Sequence, residues 1–106
     1  MKLYTLDNKF IVKTNVYPSN FTGIIEFFDG SKNWYVNDKL HRLDGPAIEH
    51  PKGSKEWYVN WKLHRIGGPA IENIEGYVAY YIEGIERTKE EHDLLYKMMQ
   101  LKGCAQ

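Results

Sequence analysis

Two histidine–arginine pairs, His41-Arg42 and His64-Arg65, carry the side chains of this sequence best suited to chemistry. Imidazoles act as general acids, general bases or zinc ligands, and guanidinium forks grip carboxylates and phosphates. Each of these tasks needs convergence. A shared zinc ion requires every nitrogen within about 2 Å of the metal, and an acid–base pair must reach one substrate atom. Whether the two pairs can converge depends on the elements that carry them.

Those elements repeat. Residues 31–49 (SKNWYVNDKLHRLDGPAIE) recur as residues 54–72 (SKEWYVNWKLHRIGGPAIE), with fifteen of the nineteen positions identical and an offset of 23. A unit this short cannot bury a core alone, so stacking of small supersecondary units is expected. Weaker copies flank the clear pair: Tyr80-Tyr81-Ile82 matches Trp57-Tyr58-Val59, and Ile25-Glu26 matches Ile48-Glu49. The chain thus divides into degenerate N-terminal strands (1–29), two full repeats (30–52 and 53–75), a partial repeat (76–87) and a C-terminal segment (88–103).

Within a unit, Trp34-Tyr35-Val36 and Trp57-Tyr58-Val59 have the aromatic and β-branched character of strands. Asn37-Asp38 suits the positive φ of a two-residue hairpin turn, and Gly45-Pro46 marks a return strand starting near Ala47. Phe10-Ile11-Val12 and Gly23–Phe28 read as two further strands. Alternation puts Tyr35, Tyr58 and Tyr81 opposite a row of Trp34, Trp57 and Tyr80. One row must face the core, and the other is either covered by a helix or left as an aromatic strip for recognition. The period then changes. Thr88-Lys89-Glu90-Glu91 is a capping box, and Leu94, Leu95, Met98, Met99 and Leu101 fall at helical spacing before Gly103. The expected fold is mainly β: an antiparallel meander of about six to eight strands built from tandem hairpins, with one C-terminal helix laying its Leu/Met face on the sheet.

This architecture separates the two histidines. Equivalent residues of successive hairpins lie two strands apart, about 10 Å, with side chains nearly parallel. The pairs are expected to fix the connector between strands, with a ring nitrogen bonding a turn carbonyl and Arg42 or Arg65 pairing with Glu49 or Glu72. No catalytic set, metal site or cofactor is expected, since an active site is needed once and these residues recur.

Composition narrows the classes further. Fourteen basic and fourteen acidic residues cancel, which argues against a dedicated nucleic-acid binder. A lone Cys104 and the absence of any apolar stretch of signal or membrane length point to a cytoplasmic protein with no membrane partner.

The stretch Trp-Tyr-Val-Asn-x-Lys-Leu-His-Arg at 34–42 and 57–65 resembles the MORN-variant repeat, in particular the His-Arg-x-x-Gly-Pro-Ala form of small bacterial, phage and large-virus proteins. Asp38 and Trp61 stand where ordinary MORN repeats have Gly, and Arg42 and Arg65 replace the Gly after His. The resemblance implies a chain of β-hairpins serving as a scaffold or binding surface, with some bacterial variants antitoxin-like, and it implies no catalysis. The reading is a small non-catalytic module that binds another protein. Trp61, Tyr35, Tyr58, Tyr81, Arg42, Arg65, His41 and His64 are its candidate contacts, and a homodimer through an edge strand or the helix is a further expectation. Trp61 is read two ways, as an exposed hot spot or as a ring folded back on the connector or helix. The alternative function is a small anionic or nucleotide ligand held by Arg42, Arg65 and the tyrosines.

Overall fold

The computed structural model describes residues 1–101. Gly103, expected to stop the helix, and Cys104 lie outside them. The described residues form twelve strands and one helix: β1 (Lys2–Tyr4), β2 (Phe10–Lys13), β3 (Gly23–Glu26), β4 (Lys32–Val36), β5 (Lys39–Leu40), β6 (Ile48–Glu49), β7 (Lys55–Glu56), β8 (Tyr58–Val59), β9 (Lys62–Leu63), β10 (Ile71–Glu72), β11 (Val78–Ile82), β12 (Ile85–Arg87) and α1 (Lys89–Leu101). All pairings are antiparallel. The main sheet runs β12-β11-β10-β7-β6-β4-β3-β1-β2, with β5 paired to β4 beside it, and β8-β9 form a separate ribbon. The fold class is therefore a mainly β, antiparallel hairpin meander with a C-terminal helix. The strand number exceeds the expected six to eight. Each tight turn is followed by its own two-residue return strand (β5, β9), too short to show alternation, and β1 adds one more at the N-terminus.

Three hairpin tips adopt the paired positive φ of type I′ turns: Asn37 and Asp38 (49° and 66°), Asn60 and Trp61 (48° and 74°), and Glu83 and Gly84 (50° and 81°). Ala47 and Ala70, both fully buried, continue the sheet between units. Trp34 N–H donates to Ala47 O and Ala47 N–H to Glu56 O, and the next copy repeats this with Trp57, Ala70 and Ala79, all four bonds at 2.8 Å.

The register sorts side chains into rows. Leu3, Ile25, Asn33, Ile48, Glu56, Ile71 and Ala79 oppose one another in succession on one face. Neighbouring positions on the other face run Lys2, Glu26, Lys32, Glu49, Lys55, Glu72, a strict alternation of charge across six strands. Opposite charges directly across a ladder favour that register over its one-residue slips. The best-filled core lies at the N-terminal end, where Met1, Leu3 and Ile25 pack with Phe21, Phe27 and Tyr35.

The capping box forms as the spacing requires: Glu91 N–H donates to Thr88 Oγ1 (3.1 Å) and Thr88 N–H to Glu91 Oε1 (2.9 Å). The helix docks differently from expectation. Its one buried side chain is His92, with Leu95 and Met99 half-buried beside it, whereas Leu94, Met98 and Leu101 are exposed by 59%, 45% and 89%. The Leu/Met stripe is wide, and docking is set by the His92 edge of it rather than by its centre.

Candidate functional site

The repeated polar residues are used by the fold itself. Arg42 lays its guanidinium over the Trp34 ring, Cζ to centroid 4.0 Å, and Arg65 does the same over Trp57 at 3.8 Å. Arg42 Nη1 donates to Pro46 O (3.1 Å) and Glu49 Oε2 (3.2 Å), and Arg65 Nη1 donates to Pro69 O (3.1 Å) and Glu72 Oε2 (3.1 Å). Arg42 also reaches Asp44 at 3.0 Å, a contact that Gly67 denies to Arg65. Glycine before each proline leaves the space this packing occupies. A Cβ on Gly45 would lie 2.8 Å from Arg42 Cζ, and one on Gly68 would lie 3.0 Å from Arg65 Cζ. The His-Arg-x-x-Gly-Pro-Ala string is thus one device: the arginine is clamped between its own tryptophan and the Gly-Pro turn, with a strand glutamate as counter-ion.

The histidines act between units. His41 Nδ1 accepts the Asn60 N–H (3.1 Å), and His64 Nδ1 accepts the Glu83 N–H (2.9 Å), so each imidazole caps the hairpin turn of the following unit. This corrects the expectation of a bond to a turn carbonyl within the same connector. An Nδ1 that accepts carries no proton, which leaves Nε2 protonated in the neutral ring. Burial holds the His64 pKa below its usual value, His92 adding to the effect and Glu83 opposing it. Backbone bonds tie the same neighbours: Arg42 N–H to Tyr58 O, Trp61 N–H to Leu40 O, Arg65 N–H to Tyr81 O and Gly84 N–H to Leu63 O. The two imidazoles serve different turns. Among the described residues, no group of three or more His, Cys, Asp or Glu side chains could hold a metal ion.

The tyrosines lie on the other side of the sheet. Tyr35 accepts from Asn33 Nδ2 (3.1 Å) and Tyr58 donates to Glu56 (3.2 Å), both partners belonging to the isoleucine row, and Tyr81 alternates with Ala79 of that row. All three are half-buried. Burial and the Glu56 carboxylate push the Tyr58 hydroxyl up to about 12, and burial also raises that of Tyr81. Because Arg42 and Arg65 sit with Trp34 and Trp57 on the opposite face, a ligand held between arginines and tyrosines would have to pass through the sheet.

Two features lay outside the sequence reading. The partial repeat keeps the aromatic, as Tyr80, but has Thr88 where the full units have arginine. His92 of α1 fills the vacancy: its ring lies 5.1 Å from that of Tyr80, and Nε2 donates to Arg65 O at 2.6 Å. The helix therefore caps the last unit with an imidazole where earlier units use a guanidinium. The signal available in the sequence was a titratable residue one turn into an otherwise apolar helix stripe. The second feature is a depression of about 530 Å³ between the connectors and the helix, lined by Leu43, Asp44, Trp57, Val59, Ile66 and Tyr96 among others.

Trp61 stands apart from all of these. It is 55% exposed at the tip of its hairpin, and its φ of 74° is one that β-carbon-bearing residues adopt at a cost. The equivalent Asp38 is half-buried and accepts the Asn20 and Phe21 N–H groups, both at 2.6 Å. No helix among the described residues is long and apolar enough to cross a membrane. In comparisons with known proteins, no family model, no curated protein and no solved structure matches this chain.

Proposed function

We propose that this chain is a small non-catalytic module that binds another protein through the hairpin tip bearing Trp61. The observation that carries the reading is the combination of exposure and backbone conformation at that residue. A left-handed conformation costs an L-residue about 1–2 kcal/mol, and glycine, as at Gly84, would avoid that cost. A large ring kept there, more than half exposed, leaves most of its surface open to a partner. Tryptophan is also the residue type most enriched at binding hot spots. Residues held at a conformational cost tend to mark function.

The recurring His41, His64, Arg42 and Arg65 support the same reading indirectly, because each is occupied by a contact within the fold. They build the frame that displays the tip. The resemblance of residues 34–42 and 57–65 to MORN-variant repeats favours a scaffold or inhibitor over an enzyme, with neutralisation of a host or toxin protein as the form such binding takes. The test compares wild type with Trp61→Gly in affinity capture from the native cell, scored by mass spectrometry. The expected result is a specific partner lost from the variant while its thermal midpoint stays level or rises. An identical set of captured proteins from both would overturn the assignment.

A further inference from the structure

The charge alternation across the sheet stops at the neutral Val78 beyond Glu72 and meets a like charge at its other end. Beyond Lys2 the next position in the row is Lys13 of β2, so two lysines oppose each other directly across the ladder. Met1 and Thr14 exchange both backbone bonds at 2.9 Å, which makes the adjacent Lys2–Lys13 pair a non-hydrogen-bonded one. Side chains approach most closely in such pairs. The Lys13 N–H and C=O consequently point outward, along the free edge of β2. The same edge strand is exposed throughout, with Phe10, Ile11 and Val12 at 59%, 48% and 42%. Beside it Lys2, Lys13, Phe27 and Phe28 line a depression of about 280 Å³, where Phe28 is 86% exposed.

We infer that the β2 edge accepts an extended strand from another protein, one that places a carboxylate opposite Lys13 with apolar residues on either side of it. Such a residue restores the alternation that runs Lys2, Glu26, Lys32, Glu49, Lys55, Glu72 and relieves the like-charge pair. Main-chain bonds to the Lys13 N–H and C=O supply affinity, as in other strand-addition complexes. The flanking apolar residues both fall on the opposite face of the added strand from the carboxylate, where they cover the exposed Val12. A second copy pairing through its own β2 does not meet the requirement. In a β2–β2 pairing no acid is available, because β2 is Phe10–Lys13 with no carboxylate.

The proposal is tested with fluorescein-labelled peptides Thr-Val-Glu-Val-Thr and Thr-Val-Lys-Val-Thr titrated against the full chain, Lys13→Glu and Lys13→Pro. The proline variant removes the outward N–H together with the ammonium of the like-charge pair, so its thermal midpoint should stay at or above that of wild type. The glutamate peptide is expected to bind wild type and to slow exchange of the Lys13 amide. Affinity should fall about fivefold in Lys13→Glu, where the lysine peptide binds instead, and vanish in Lys13→Pro. Equal binding of the glutamate peptide to wild type and Lys13→Glu, or no binding of either peptide, would overturn the inference. So would a concentration-dependent dimer in sedimentation that Lys13→Pro abolishes, since the edge would then belong to a second copy. Trp61→Gly leaves peptide binding unchanged, so failure here is distinct from failure at the hairpin tip.

Discussion

The hairpin tips at 37–38 and 60–61 share a turn type, a leading asparagine and a frame of nearly identical residues, yet the second tip residue does opposite things. Asp38 turns inward and gathers two amides of the preceding segment, which makes the tip a clasp for residues 20–21. Trp61 turns its ring to solvent at a conformational cost. Between two copies of one unit, the backbone demand is constant and the side chain is free to be spent on folding or on something else. The lesson is that function in a repeat chain is best sought where a copy departs from its twin while the geometry does not.

What the two tips share can be broken first. Arg65→Ala removes the stack on Trp57 and leaves Glu72 and Pro69 O without their donor, and should destabilise the protein by about 3 kcal/mol in chemical denaturation. Arg42→Ala should match it within about 0.5 kcal/mol, because the additional partner Asp44 is exposed and such surface pairs contribute little. A much larger loss at Arg42 would show that the two units are not energetically equivalent.

The difference itself comes next. Asp38→Ala should cost about 2 kcal/mol, since two charge-assisted bonds disappear, and hydrogen exchange at the Asn20 and Phe21 amides should accelerate. Trp61→Gly should instead stabilise the chain by about 1 kcal/mol. A destabilised Trp61→Gly protein would mean that the ring packs usefully, and would remove the contrast between the tips.

The smallest expected effects sharpen the comparison through pH. Burial holds His64 below its ordinary value, so the folded protein resists a proton that the unfolded chain takes up near 6.5. Stability is full above that pH and falls as acid approaches the lower folded value. His64→Gln should flatten this part of the profile. Tyr58 behaves in the opposite sense: its stabilising contribution is complete below pH 10 and is lost as pH rises toward about 12. Tyr58→Phe should retain stability across that alkaline range, as read by the midpoint of thermal unfolding.

Much of this was legible before any coordinates. The 23-residue offset defines the units, Asn37-Asp38 announces its turn, and Thr88 with Glu91 starts the helix, because each of these is a local rule about neighbouring residues. The bond from His41 to Asn60 and that from His64 to Glu83 each span nineteen residues and join different units. Periodicity within a unit is silent about such contacts. The clamp on Arg42 depends on how a turn folds over a tryptophan, which spacing alone does not specify. The helix shows the same limit: its apolar positions were visible, but only docking decides that His92 is buried and Leu94 is not. β1 was missed because three residues, Lys2–Tyr4, are too few to show a period.

The imidazole of His92 over Tyr80 has an evolutionary corollary. The helix closes the last unit over the same aromatic floor that any full unit offers, with His92 donating to Arg65 O of the preceding connector. A further block of 23 residues inserted ahead of it would add two strands and lengthen the sheet by about 10 Å, while leaving both termini as they are. Reach, in a protein assembled this way, can be adjusted by gene duplication without redesigning either end.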